Sequence, residues 1–156
     1  MNKPDLVYTT YIKTTPEKLW AALTNPEFTR QYWGNNVNRS DWRPGSRWNH
    51  VDGADSSDIM VTGEVLESIP PKRLVLTWAS PADLADVSRV TFEIEPVADL
   101  VRLNVVHGYF TPGSVMAGRV VQGWPLVLAS LKSLLETGTA IDIFAVKGNC
   151  AKTSGG

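Results

Sequence analysis

Strict alternation of apolar and polar residues marks much of the middle of the chain. In "RLVLTW", Leu74, Leu76 and Trp78 fall on one face. In "VTFEIE", Val90, Phe92 and Ile94 oppose Thr91, Glu93 and Glu95. In "VRLNVVH", Val101, Leu103, Val105 and His107 oppose Arg102 and Asn104. A period of two with one apolar and one wet face is the pattern of antiparallel strands covered on one side. "LVYTTYIK", "VNRSDW", "SRWNHV" and "MVTGEVLESI" add four more strands, for seven in all. Between them lie the turn "RPG", the stop Pro70-Pro71, and two stretches read as loops, "DGADSSD" and "ASPADLADVS".

The period changes to 3.6 in two places. After the first strand, "TTPEKLWAALTN" and "NPEFTRQYWG" each predict a short helix: Thr14 or Thr15 and then Asn25 can cap, Pro16 and Pro26 suit the first turn, and Gly34 stops the second. Near the end, "GWPLVLASLKSLLETG" carries Trp124, Val127, Leu128, Leu131, Leu134 and Leu135 as one broad apolar stripe, with Gly138 placed just past the last turn. Upstream, "SVMAGRVVQ" reads as a separate short helix or as a kinked extension, since Gly123 and Pro125 permit both. A fourteen-residue helix of this kind is marginal alone in water, so it must lie along the apolar face of the sheet. The fold predicted is α+β: one strand, two short helices, a six-strand meander and a long helix across the curved sheet. A single domain over 1–144 accounts for these elements, and the small and polar residues of 145–156 read as a disordered tail.

Composition narrows the function. Fifteen basic and sixteen acidic residues give a net charge of −1 with no long block of either sign, which argues against nucleic acid as a partner. No apolar run approaches the roughly 18 residues of a membrane span. "MNKPDLVYTTYIKTTPEK" has no apolar core of a signal peptide, and the single cysteine, Cys150, fits a reducing cytoplasm. Six of the fourteen aromatic residues are tryptophan, a side chain suited both to cores and to ligand pockets.

The order of these stretches, above all "TTPEKLWAALTNPEFTRQYWG", "SDWRPGSRW", "GEVLESIPPKRLVLTW", "VTFEIEP" and "GWPLVLASLKSLLETG", resembles the START-like SRPBCC superfamily with its helix-grip fold. Within it, the chain resembles the bacterial branch named after the C-terminal domain of the activator of heat-shock-protein-90 ATPase. The resemblance implies an elongated cavity between sheet and last helix, open to lipid-, polyketide- or flavonoid-like molecules. It also brings two other readings: a stress-linked partner of a chaperone, and a cyclase or dehydratase using the same cavity. Nothing in the chain corresponds to the additional N-terminal domain that the eukaryotic co-chaperone uses for chaperone contact.

Catalytic signatures are missing. His50 and His107 show no metal-ligand spacing, and no phosphate loop or nucleophile elbow is present, so neither a metal nor a cofactor is expected. By alternation both histidines face the covered side, where each is either a hydrogen-bonded structural group or a polar anchor for a ligand. Glu64 and Arg89 are further polar candidates. Trp48, Trp78 and Trp124 fall on the inward rows or the gripping helix, Phe92 joins them, and Tyr109 with Phe110 is expected at the cavity mouth. Leu128 and Leu131 complete the expected wall. Each of these apolar residues has core filling as its alternative.

Overall fold

The structure, a computed structural model, describes residues 5–145. The alternating stretches form strands β1 (Leu6–Ile12), β2 (Asn36–Ser40), β3 (Arg47–Asp52), β4 (Ile59–Ile69), β5 (Arg73–Ser80), β6 (Asp83–Val97) and β7 (Leu100–Gly108). They pair antiparallel in the order β1-β7-β6-β5-β4-β3-β2, so the meander runs from β2 to β7 and β1 closes its far edge. Helices α1 (Pro16–Thr24) and α2 (Pro26–Tyr32) follow β1, and α3 (Val115–Thr137) ends the fold. The expected α+β helix-grip architecture is the one observed.

The short helices form as their caps dictate. Thr15 Oγ1 accepts from Lys18 N at 3.2 Å, Asn25 Oδ1 accepts from Glu27 N at 3.0 Å, and a proline occupies the first turn of each. The buried hydroxyl of Tyr32 donates to Ala22 O at 2.8 Å and locks α2 against α1.

One reading is corrected. The stretch expected as a loop, "ASPADLADVS", is mostly strand: β6 begins at Asp83, opposite Ser80 across a two-residue turn. Leu84 and Val87 are exposed there, so no apolar alternation announces the strand. It is held instead by polar anchors. Asp86 accepts from Thr111 Oγ1 at 3.1 Å, Ser114 Oγ at 2.6 Å and Met116 N at 3.0 Å, which ties the hairpin to the start of α3.

The upstream segment proves continuous with the gripping helix, so α3 runs unbroken for 23 residues, about 35 Å. Pro125 lies inside it. A proline has no N–H to give the carbonyl four residues back, which here is Val121 O. Tyr8 Oη of β1 donates to that carbonyl at 3.4 Å, so a group freed by the helix is taken up by the sheet. Gly138 ends α3 in the left-handed conformation, its N–H donating to Leu134 O at 2.9 Å.

The core lies between the concave face of the sheet and α3, with Ile12, Leu19, Trp48, Leu74, Leu103 and Leu131 among its most deeply buried side chains. Among the described residues no helix is long and apolar enough to cross a membrane. Residues 146–156, most of the expected tail and Cys150 with it, lie outside the described residues.

Candidate functional site

A cavity of about 230 Å³ opens between β3, β4 and β5 on one side and the first half of α3 on the other. The sheet supplies His50, Met60, Val61 and Trp78. Helix α3 supplies Met116, Arg119, Val120, Gly123, Trp124 and Val127, and Trp33, at the end of α2, comes in from the side. Three indoles frame the space, with ring centroids 6.4 Å apart for Trp33 and Trp78, 5.7 Å for Trp33 and Trp124, and 5.6 Å for Trp78 and Trp124.

Met60 and Val61 are sequence neighbours, which strict alternation would send to opposite faces. They line the same cavity because β4 carries a bulge at this point: His50 pairs with Val61 but Val51 pairs with Ile59, leaving Met60 as the extra residue. A bulge re-aims side chains in this way.

His50 is the polar group of the wall. Its ring is buried, tilted against Trp33 with centroids 4.8 Å apart, and its Nδ1 lies 2.7 Å from Asn38 Oδ1. An amide oxygen can only accept, so Nδ1 carries the proton and the neutral ring keeps a lone pair on Nε2. Burial lowers the pKa of His50 to about 4, so the ring is neutral at pH 7. No partner for Nε2 is present among the described residues, which leaves it as a hydrogen-bond acceptor in the wall.

His107 sits deeper and does not line the cavity. Trp124 Nε1 donates to its Nδ1 at 3.0 Å, which places the imidazole proton on Nε2. Nε2 therefore donates to Ser88 Oγ at 2.7 Å, and that hydroxyl donates on to Trp78 O at 3.3 Å. Both ring nitrogens are consumed within the fold. The ring stacks on Phe110 at 4.9 Å, and burial lowers its pKa to about 4. The polar chain holds the Trp124 indole and ends on the backbone carbonyl of Trp78.

Of the residues singled out in the sequence, His50, Trp78 and Trp124 come together at the cavity. Trp48 is fully buried beneath it: its indole lies over Gly63 and donates to Thr77 O at 2.7 Å, and a side-chain carbon at Gly63 would fall 2.5 Å from Trp48 Nε1. Phe92 meets Trp124 edge-on at 5.9 Å within the core, and Leu128 and Leu131 are buried further along α3. Tyr109 points away from the core: it is 70% exposed, and the Arg89 guanidinium lies 4.3 Å from its ring centroid. Glu64 is exposed on β4. No second titratable group other than Arg119 joins His50 in the wall, and among the described residues no cluster of His, Cys, Asp or Glu is placed to hold a metal ion.

Trp33, Met60, Val61 and, on α3, Met116, Arg119, Val120, Gly123 and Val127 were missed as wall residues. The spacing of Met116, Val120, Trp124 and Val127 continues the apolar stripe of the helix upstream, and that periodicity could have found them.

The sequence model of the activator of Hsp90 ATPase homolog 1-like proteins matches residues 13–136. The chain belongs to this family. Solved structures share the fold. A protein of Mesorhizobium loti, MLL2253, is 31% identical, covers 85% of this chain and 96% of its own, and superposes with a TM-score of 0.69. The Aha1 dimer of Colwellia psychrerythraea is 22% identical, with 87% and 98% covered and a TM-score of 0.70. An Hsp90 activator from Plasmodium falciparum is 20% identical, with 84% and 95% covered and a TM-score of 0.71. These last two show the shared fold alone. No curated protein sequence is significantly similar to the chain. The match of the activator-of-Hsp90-ATPase family to 13–136 covers α1, α2, the sheet from β2 to β7 and nearly all of α3, and so every element that lines the cavity.

Proposed function

We propose that this protein binds a small apolar molecule of one or two rings in the cavity between β3–β5 and α3. The observation that carries the reading is His50: a neutral, buried imidazole with its Nδ1–H committed to Asn38 and its Nε2 lone pair free, set among three indoles. An apolar pocket with few convergent polar groups is the usual form of a small-molecule site. A hydroxyl or N–H on the ligand is the complement of that lone pair.

Size narrows the ligand class expected from the sequence. The cavity, about 230 Å³, falls below the roughly 300 Å³ at which drug-sized pockets begin and above the roughly 150 Å³ that admits benzene. Trp48, Phe92, Leu128 and Leu131 fill the space that a longer channel would need. A phenol or an indole fits this volume better than a lipid, a polyketide or a flavonoid.

Titration with phenol or indole tests the reading. Trp33, Trp78 and Trp124 form the wall, so binding should perturb tryptophan fluorescence. Gly123→Met, which places a side chain in open space at the wall, should abolish the effect without unfolding the protein. Absence of any interaction at millimolar ligand would reject it.

The names of the Colwellia and Plasmodium proteins favour a second reading, partnership with an Hsp90-type chaperone. Stimulation of a chaperone ATPase by stoichiometric amounts of this protein, undiminished in Gly123→Met, would assign function to the surface rather than the cavity. A reducing cytoplasm is the setting that either reading expects.

A further inference from the structure

We infer that the ligand of this cavity is an anion, a small aromatic carboxylate whose ring lies among the indoles and whose carboxylate pairs with Arg119. The inference rests on the cavity being a binding site and adds the charge of its occupant.

One donor carries it. Arg119 lies in the cavity wall on the exposed side of α3, and among the described residues its guanidinium makes neither an ion pair nor a hydrogen bond. Two strand arginines differ: Arg73 meets Glu67 and Glu93, and Arg102 meets Glu95. Trp78 Nε1 also lacks a partner among the described residues, but it is closed to water-sized contact and offers the cavity no donor, so the Trp78 ring contributes apolar wall.

Among the described residues no acidic side chain lies in the wall to answer Arg119. With His50 neutral, the lining carries a single positive charge. Among the described residues the free acceptor of the wall is the His50 lone pair, which a hydroxyl on the ligand ring would meet, while the Arg119 guanidinium asks for acceptor oxygens. A carboxylate supplies them, and guanidinium matches it in a paired geometry. The apolar remainder of the wall then holds the ring. A phosphate ester would satisfy Arg119 equally, but its dianion and strong hydration suit a wall with several cations, and this one has one.

The experiment compares 3-phenylpropanoate with 3-phenylpropanamide, which share a ring and chain and differ in charge. Calorimetric titrations are run on the protein as it stands and on Arg119→Gln, at low and at high salt. The carboxylate should bind about three- to five-fold more tightly than the amide at low salt, the scale of a partly exposed ion pair, and the preference should shrink at high salt. In Arg119→Gln the ratio of the two affinities should fall to about one. Equal affinities in the unaltered protein, or a preference that survives in Arg119→Gln, overturn the anion assignment and leave the cavity as a site for neutral rings. Failure of both ligands to bind removes the cavity reading and the anion with it.

Discussion

The indole N–H of Trp124 donates to Nδ1 of His107 at 3.0 Å, and this contact sets the imidazole tautomer that the rest of the buried chain depends on. With Nδ1 accepting, Nε2 must donate to Ser88, and the Ser88 hydroxyl must donate to Trp78 O. Gripping helix, β7, β6 and β5 are thereby joined by three directed hydrogen bonds in a space that apolar packing alone would leave free to shift.

His107→Ala should therefore act on stability. It deletes a fully buried ring, strands the Trp124 N–H and removes the donor to Ser88. Cavity formation and an unpaired buried donor together predict a loss of about 3–5 kcal/mol. Urea unfolding measures it. A loss under about 1 kcal/mol, accompanied by weaker ligand binding, would return His107 to the role of ligand anchor that its register first suggested.

Both histidines are protonated less readily in the folded protein than in the unfolded chain, each falling from 6.5 to about 4 because burial disfavours the charged ring. Between those values the unfolded state binds more protons, so stability drops as pH falls from about 6.5 towards 4. Above 6.5 neither ring adds a slope, and below 4 the slope from these rings ends. The full loss is on the order of 3 kcal/mol for each ring. Denaturant melts at half-unit pH steps should show the decline, and His50→Gln should remove about half of it. Constant stability from pH 7 to 5 would contradict the burial of both rings as neutral species.

How far the sequence reaches can be seen at particular residues. The inward rows of β6 and β7 were legible because each strand has one covered face and one wet one, and Val90 and Leu103 are buried as the alternation requires; β5 buries Trp78 on its inward row and Val75 on the other face as well. The caps Thr15, Asn25 and Gly138 were legible because capping is a local interaction. The cavity was only half legible. A bulge depends on pairing with another strand, and nothing local to "MVTG" announces that Met60 and Val61 share a side. Trp33 enters through the orientation of α2, which Tyr32 and Ala22 set by a contact ten residues apart. Whether an inward tryptophan lines or fills a space depends on what faces it, so Trp48 and Trp78 were indistinguishable in the sequence.

Gly118 and Gly123 sit inside α3 with helical backbone angles and with open space where a side-chain carbon would go. Alanine at either position reduces the freedom of the unfolded chain without a clash, and each change should raise stability by about 1 kcal/mol. Thermal and urea melts of the two single variants and the double variant check this, the double giving the sum because the sites share no partner. Destabilisation by Gly118→Ala would mean that this exposed face of α3 is not free.

The acceptor character of the site depends on Asn38, and Asn38→Asp should reverse it. An amide oxygen accepts the Nδ1–H of His50 without stabilising the imidazolium, so burial governs the ring and its pKa lies near 4. A carboxylate in the same place accepts the same proton and adds an opposite charge at hydrogen-bond distance, which should raise that pKa by about 1–3 units. Protonated, Nε2 becomes a donor, and the wall then asks for an acceptor where it had asked for a hydroxyl. Phenol and anisole separate the two states, since only phenol can donate. The unaltered protein should prefer phenol, and Asn38→Asp should lose that preference as pH falls through the raised pKa of His50. An NMR titration of the His50 ring protons follows the charge directly while ligand affinities are read on the same samples. If the His50 pKa rises and the preference for phenol persists, Nε2 is not the atom that meets the ligand.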